Sequence, residues 1–210
     1  MFKYIEEPQI TILDRHIVNI SKISLDADII SDGASTKFIM LSSGTISFQN
    51  SDRITGCLAA AVNNSVTLRG HGIVINSPGN HLTEESIIKV TAAIPGNLSY
   101  IDGCSNSNLV HPARNGDPCL NYLYFPPGIN QTFHTHPSYR IGIVLSGSGT
   151  AETTGDKYAL TTGTMFLLER HTVHRFFTTN SHMSLMVFHP DSEDGPRDEF
   201  NPMKSRTYIR

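Results

Sequence analysis

The sequence is short of charge: Asp, Glu, Lys and Arg make up only 17% of its 210 residues. The formal net charge of -3 leaves no basic footprint, which argues against a nucleic-acid partner. Long apolar runs are missing as well. None approaches the roughly 20 residues of a membrane-spanning helix, so no membrane partner is expected. The opening stretch MFKYIEEPQI carries acids where a secretion signal would be apolar, and a soluble, cytoplasmic protein is the expectation. Cysteine is scarce too. Cys57, Cys104 and Cys119 are odd in number and form no CxxC pair, as for structural thiols in a reducing compartment. Asn63, Asn97 and Asn130 each begin an N-x-[ST] sequon, which means little without a secretion signal.

Helical periodicity is the remaining absence. Short apolar runs bounded by turn residues recur along the chain, among them FIML, SVTL, GIVI, LNYLYF, RIGIVL, TMFLL and SLMVF. Sixteen glycines and eleven prolines supply the turns. The pattern predicts an all-β sandwich or barrel. Helix is expected only in short pieces, near Leu58 to Val62 or in the opening residues.

A weak internal repeat accompanies this pattern. KFIMLSSG (Lys37 to Gly44) parallels RIGIVLSG (Arg140 to Gly147): a cation, an apolar strand and a small-residue turn. Gly72 and Gly163 each precede an apolar run and a turn. On that alignment the first copy carries about twelve extra residues, around NSDRITGCLAAA. The break falls in the polar stretch Gly103 to Asp117, which has linker composition. The resulting division is a first half over 1–105, a second over 106–190, and an extended surface tail over 191–210.

In a strand, residues i and i+2 share a face, so His134 and His136 converge if one strand carries both. Two imidazoles are half of a three- or four-ligand metal site. His174, in ERHTVHRF, is the best candidate to complete it, and His171 is second.

That arrangement resembles the cupin superfamily. Its first motif is a glycine, five residues, His-x-His, three or four residues, Glu, six residues and a glycine. Here Gly128, INQTF, His134, Thr135, His136, PSY, Arg140 and Gly147 keep each spacing, with arginine in place of glutamate. The second motif is a glycine, five residues, Pro-x-Gly, two residues and His. Gly163, TMFLL, Glu169, Arg170, His171 and His174 keep it, with Glu169 and His171 in place of proline and glycine. The resemblance covers about residues 120–190 and implies a double-stranded β-helix, a cupin jelly-roll barrel. It implies a divalent transition metal (Fe, Zn, Ni or Mn) on His134, His136 and His174. The first half looks like a second, degenerate cupin. Ser31, Gly33 and Thr83 stand at its would-be histidine positions, and Lys37 stands opposite Arg140. Such a bicupin is expected as a homodimer or as a monomer that satisfies the interface within one chain.

The missing glutamate changes the electrostatics. Three neutral imidazoles leave a divalent ion its full charge, and an inward Arg140 adds another. Like charges at close range are costly unless an anion joins them. A small anionic ligand such as a carboxylate is therefore expected, bound by the metal and by the guanidinium. The alternative is that Arg140 pairs with Glu169 or Glu152 and plugs the barrel. Glu169 is a candidate base, or else a surface turn residue. Tyr139 is a candidate acid/base or radical-stabilising group, although strand parity turns it from the histidines. The three-histidine set resembles cupin dioxygenases. A metal-dependent lyase or isomerase and a non-catalytic binder are the competing functions.

Overall fold

The computed structural model describes residues 1–6, 9–13, 16–23, 26–29, 33–48, 53–82 and 84–208. Two of the three would-be histidine positions of the first half, Ser31 and Thr83, lie outside the described residues. Sixteen strands dominate the described residues. The first eight are β1 (Phe2–Tyr4), β2 (Gln9–Leu13), β3 (His16–Ile23), β4 (Asp26–Ile29), β5 (Ser35–Phe48), β6 (Arg53–Val62), β7 (Val66–Pro78) and β8 (Ser86–Lys89). The rest are β9 (Leu98–Ser99), β10 (Ser105–Val110), β11 (Cys119–Phe125), β12 (Arg140–Thr153), β13 (Lys157–Thr161), β14 (Met165–Leu168), β15 (His174–Phe177) and β16 (Met183–His189). One sheet runs β2-β3-β7-β5-β6-β8, and the other β1-β14-β12-β16-β11-β10-β9, with β13 and β15 also paired to β12. The opening strand β1 thus joins the sheet of the second half, pairing Phe2 with Leu168. Among the described residues no helix is long and apolar enough to cross a membrane.

Several strands are buried on both faces, which is why they read as unbroken apolar runs. Along β16, Leu185 and Val187 enter the cluster inside their own sheet, while Met186 and Phe188 face the first sheet. Along β5, Phe38 and Met40 meet that same layer, and Ile39 and Leu41 belong to a separate apolar cluster on the other side of their sheet. The Phe38 and Phe188 rings meet at 5.1 Å across the layer. Each such side chain contributes about 1.5–3 kcal/mol by burial, so this apolar layer holds the two sheets face to face.

Leu58 to Val62, the expected helix, is strand. Ala59, Ala60 and Ala61 pair with Met40, Ile39 and Phe38. Alanine's helix preference is worth less than cross-strand burial, and its small side chain leaves room for the bulky partners. From Arg53 onward the segment expected as an insertion is this same strand, β6, and Asn50 to Asp52 lie outside the described residues. Gly72 also proves unlike Gly163: it lies inside β7 opposite Leu41, whereas Gly163 stands in the turn before β14. The other half of the repeat has a structural counterpart. β5 and β12 are each 14 residues long, and each shifts register once, between Leu41 and Ser43 and between Val144 and Ser146. These bulges and the two cations, Lys37 and Arg140, correspond at one constant offset.

The bulge in β12 bends the strand between its pairing with β14 and β16 and its pairing with β13 and β15. Gly147 follows it at φ 75°, where a Cβ would stand 1.8 Å from the His182 carbonyl oxygen, so only glycine fits. The tail is not simply extended. Asp198–Phe200 forms one tight turn, and Pro202–Ser205 a short helix, α1, whose first amides are capped by Asn201.

Candidate metal centre

His134 and His136 do not sit on one strand, the condition under which their i, i+2 spacing would put them on a shared face. They lie in the loop joining β11 to β12, where Pro137 lacks an amide for a ladder. Only His134 is tied in β fashion, exchanging backbone hydrogen bonds of 2.9 and 3.0 Å with His174. His136 is held by its carbonyl, which accepts from the His171 amide at 2.8 Å. His171 reaches that amide position at φ 56°, a left-handed conformation, at the point where the cupin motif has glycine. Its own ring is exposed and takes no part in the cluster.

The loop and β15 are locked together beside the site. Arg175 donates to Glu152 at 2.6 and 2.7 Å and to Asn130 at 2.8 Å, and its guanidinium lies 4.7 Å from the Phe133 ring centre. Gln131, buried, accepts from the Phe176 amide at 3.2 Å. Alternation along β15 then turns Arg175 outward and His174 and Phe176 inward.

The result is a cluster in which ligand atoms of His134, His136 and His174 lie within 4.8 Å of one another. It is the one His, Cys, Asp and Glu group found among the described residues that could hold a metal ion. The hydrogen bonds set the tautomers of two rings. His134 Nδ1 and His174 Nδ1 each meet a carbonyl oxygen two residues back, Thr132 and Thr172, at 2.8 Å. A carbonyl only accepts, so both Nδ1 atoms carry the proton and both Nε2 atoms keep a free lone pair. His174 Nε2 is buried without any partner. Burial pushes His136 down to about 3, with Arg140 and the other two histidines adding to the effect. Burial likewise pushes His174 down to about 4. Neutral imidazoles with inward lone pairs are the form that binds a divalent metal. The donor set fits the expected ion.

Beside the cluster opens a cavity of about 570 Å³, counted to its open mouth. Arg140 forms part of its wall together with Tyr100, Asn106, Asn121 and His189. The guanidinium donates through Nη1 to the carbonyls of Ser138 and Tyr139 at 3.2 and 2.9 Å and to Ser138 Oγ at 2.6 Å. Ser138 Oγ in turn donates to Asp191 at 2.5 Å. Nε of Arg140 is buried and unpartnered. Burial lowers the guanidinium from its ordinary range, with Asp191 opposing, yet arginine keeps its charge in proteins.

Glu152 and Glu169 are both engaged elsewhere: Glu152 by Arg175, and Glu169 by Lys3 at 2.8 Å on the outer surface. Neither lines the cavity. Tyr139 is 1% exposed and belongs to the layer between the sheets, 6.3 Å from the Phe188 ring. The structure thus brings Arg140 to the three histidines and leaves Glu169 and Tyr139 outside the cavity. It adds His189, which sequence spacing gave no reason to select. Its signal was the alternation on β16: Leu185, Val187 and His189 share the inward face. Burial holds the His189 ring well below its ordinary value, with Arg140 and His136 contributing.

Residues 121–189 match the family described as Cupin domain. Among solved structures, the chain is similar to a cupin 2 conserved barrel domain protein from Leptotrichia buccalis, with TM-score 0.58, 12% identity, and 90% of this chain and 87% of that one covered. A putative glyoxylate induced protein from Pseudomonas aeruginosa is similar at TM-score 0.63 and 14% identity, covering 95% and 83%. A salicylate 1,2-dioxygenase from Pseudaminobacter salicylatoxidans is similar at TM-score 0.56 and 9% identity, covering 83% and 70%. No curated protein matches the sequence. At these identities the likeness establishes the fold, the cupin barrel.

Proposed function

We propose that the second barrel is a metal-dependent cupin site that takes a small carboxylate-bearing molecule, with dioxygenase-type chemistry as the leading activity. The observation that carries this reading is His174 Nε2, a buried lone pair without a partner in the three-histidine cluster. An unsatisfied buried polar atom costs about 1–3 kcal/mol, and a bound ion removes that cost. Fe, Zn, Ni and Mn all accept imidazole, and the donor set does not choose among them. When bound, the ion supplies Lewis acidity and the coordination positions that three ligands leave open.

The rest of the work falls to side chains of the chain. Arg140 places a permanent positive charge in the wall, without a direct ion pair to any carboxylate among the described residues. An anionic ligand answers both charges, and the unpartnered Nε is a donor available to it. The neutral His189 ring is the titratable group best placed to hold or pass a proton beside the ligand. Glu169 and Tyr139, the proton-moving candidates of a lyase or isomerase, do not line the cavity, which favours chemistry at the ion over side-chain acid–base chemistry.

The first half supports the barrel, and its described residues hold no metal-ligand cluster. The common length and bulge position of β5 and β12 favour an ancient duplication, and Ile39, Leu41, Ile46, Leu58 and Leu68 belong to that half's separate apolar cluster. Because that half covers one face of the second sheet, a monomer is the reading we favour, and light scattering on the intact chain tests it. The activity is tested by elemental analysis followed by oxygen uptake with small carboxylates. Stoichiometric iron with carboxylate-dependent uptake supports the oxygenase. Zinc or nickel without uptake supports the lyase or isomerase. No metal, with ligand binding unchanged in His134→Ala, supports a binder.

A further inference from the structure

The cavity is divided lengthwise, and the division describes the ligand. Inward positions alternate down each strand, so the order along β11 is Asn121, Leu123, Phe125, and the order along β16 is His189, Val187, Leu185. The strand register sets Asn121 beside Val187 and Leu123 beside Leu185, so both strands turn from polar to apolar in the same direction. Leu168 stands opposite Arg140 on β14, with Phe166 two residues on, and Phe176 follows His174 on β15. The one charged side chain of the wall, Arg140, and the His189 ring therefore stand at one end, while the uncharged amide of Gln131 is tied to the Phe176 backbone at the other. The other end is made by Phe125, Phe166, Phe176 and Leu185, without a charged group.

Taking the carboxylate at Arg140 as given, we infer that the ligand is an amphipathic monocarboxylic acid, with a hydrocarbon body of four or more carbons lying against the aromatic end. A second carboxylate placed there would be stripped of water with no cation to meet it. An apolar body gains from the same surroundings, about fourfold in affinity for each buried methylene. The specificity-determining residues are then Val187, Leu185 and Phe176, which contact the body and not the head.

The test is calorimetric titration of the intact protein, loaded with zinc as a redox-silent ion, with acetate, butanoate, hexanoate and butanedioate. The expected result is a dissociation constant that falls about fourfold per methylene from acetate to hexanoate, with butanedioate no tighter than acetate. Val187→Thr, nearly identical in shape, should cut the hexanoate-to-acetate ratio several-fold. A flat chain-length series with acetate still bound, or butanedioate as the tightest ligand, overturns the inference and leaves the Arg140 reading intact. If no member of the series binds, or if Arg140→Gln binds acetate as wild type does, the carboxylate reading itself falls.

Discussion

Replacing His174 with leucine separates a metal ligand from a mere core histidine. In the metal-free protein this ring makes one hydrogen bond, Nδ1 to the Thr172 carbonyl at 2.8 Å, and leaves Nε2 buried and unpaired. Losing the bond costs about 0.5–1.5 kcal/mol, while removing the orphaned atom returns about 1–3 kcal/mol. His174→Leu should therefore lie between about 0.5 kcal/mol less stable and about 2.5 kcal/mol more stable than wild type when both are stripped of metal. Adding metal reverses the order. An ion at one hundred times its Kd stabilises the native state by about 2.7 kcal/mol. For a chain of this size each kcal/mol moves Tm by about 2–4 °C, so wild type should gain about 5–11 °C. His174→Leu should gain nothing. The assay is thermal unfolding in chelator and in titrated Fe(II), Zn(II), Ni(II) or Mn(II). A metal-dependent rise in His174→Leu equal to that in wild type, or a metal-free variant destabilised by several kcal/mol, would refute the reasoning.

Other substitutions probe the surrounding parts. Arg140→Glu restores the acid at the cupin motif's position; metal affinity should rise at least tenfold and carboxylate binding should be lost, as followed by competitive chelation and calorimetry. Gly142→Ala places a Cβ 2.3 Å from the Phe166 ring, which must shift; denaturant unfolding should show a loss of about 1–3 kcal/mol. Glu169→Gln tests the surface pairing of β14 with β1. The hydrogen bond from Lys3 holds the Glu169 carboxyl below its ordinary value, so its stabilisation exists above the unfolded carboxylate pKa of about 4.3 and is lost as pH falls through the lower folded value. The variant should therefore melt below wild type at pH 7, by under about 1 kcal/mol for so exposed a pair, and the difference should shrink as pH falls below the ordinary carboxylate range. Metal binding should be unchanged in this variant.

Legibility followed distance along the chain. The β class was readable because strands buried on both faces, such as SLMVF and FIML, leave unbroken apolar runs. The histidine positions were readable because a loop, a bulge and a hairpin fix them by local spacing. Misreadings came where tertiary contacts override local preference. Ala59 to Ala61 suggest helix until Phe38 and Met40 stand across from them. His134 and His136 suggest a strand until Pro137 and the bridge to His174 are seen. The cavity wall was largely hidden, since Tyr100, Asn121 and His189 come from elements far apart in sequence. The partners of Glu152 and Glu169 were equally hidden, because Arg175 and Lys3 reach them only in the folded chain.

The central claim is that one ion is held by His134, His136 and His174 with Arg140 turned toward its ligand. An anomalous-difference map of metal-loaded crystals, collected at the ion's absorption edge, reads this directly. A single strong peak about 2.0–2.2 Å from all three imidazoles, with Arg140 left free for a carboxylate, is the predicted result. Density showing the guanidinium in the centre of the cluster and no anomalous peak would contradict it.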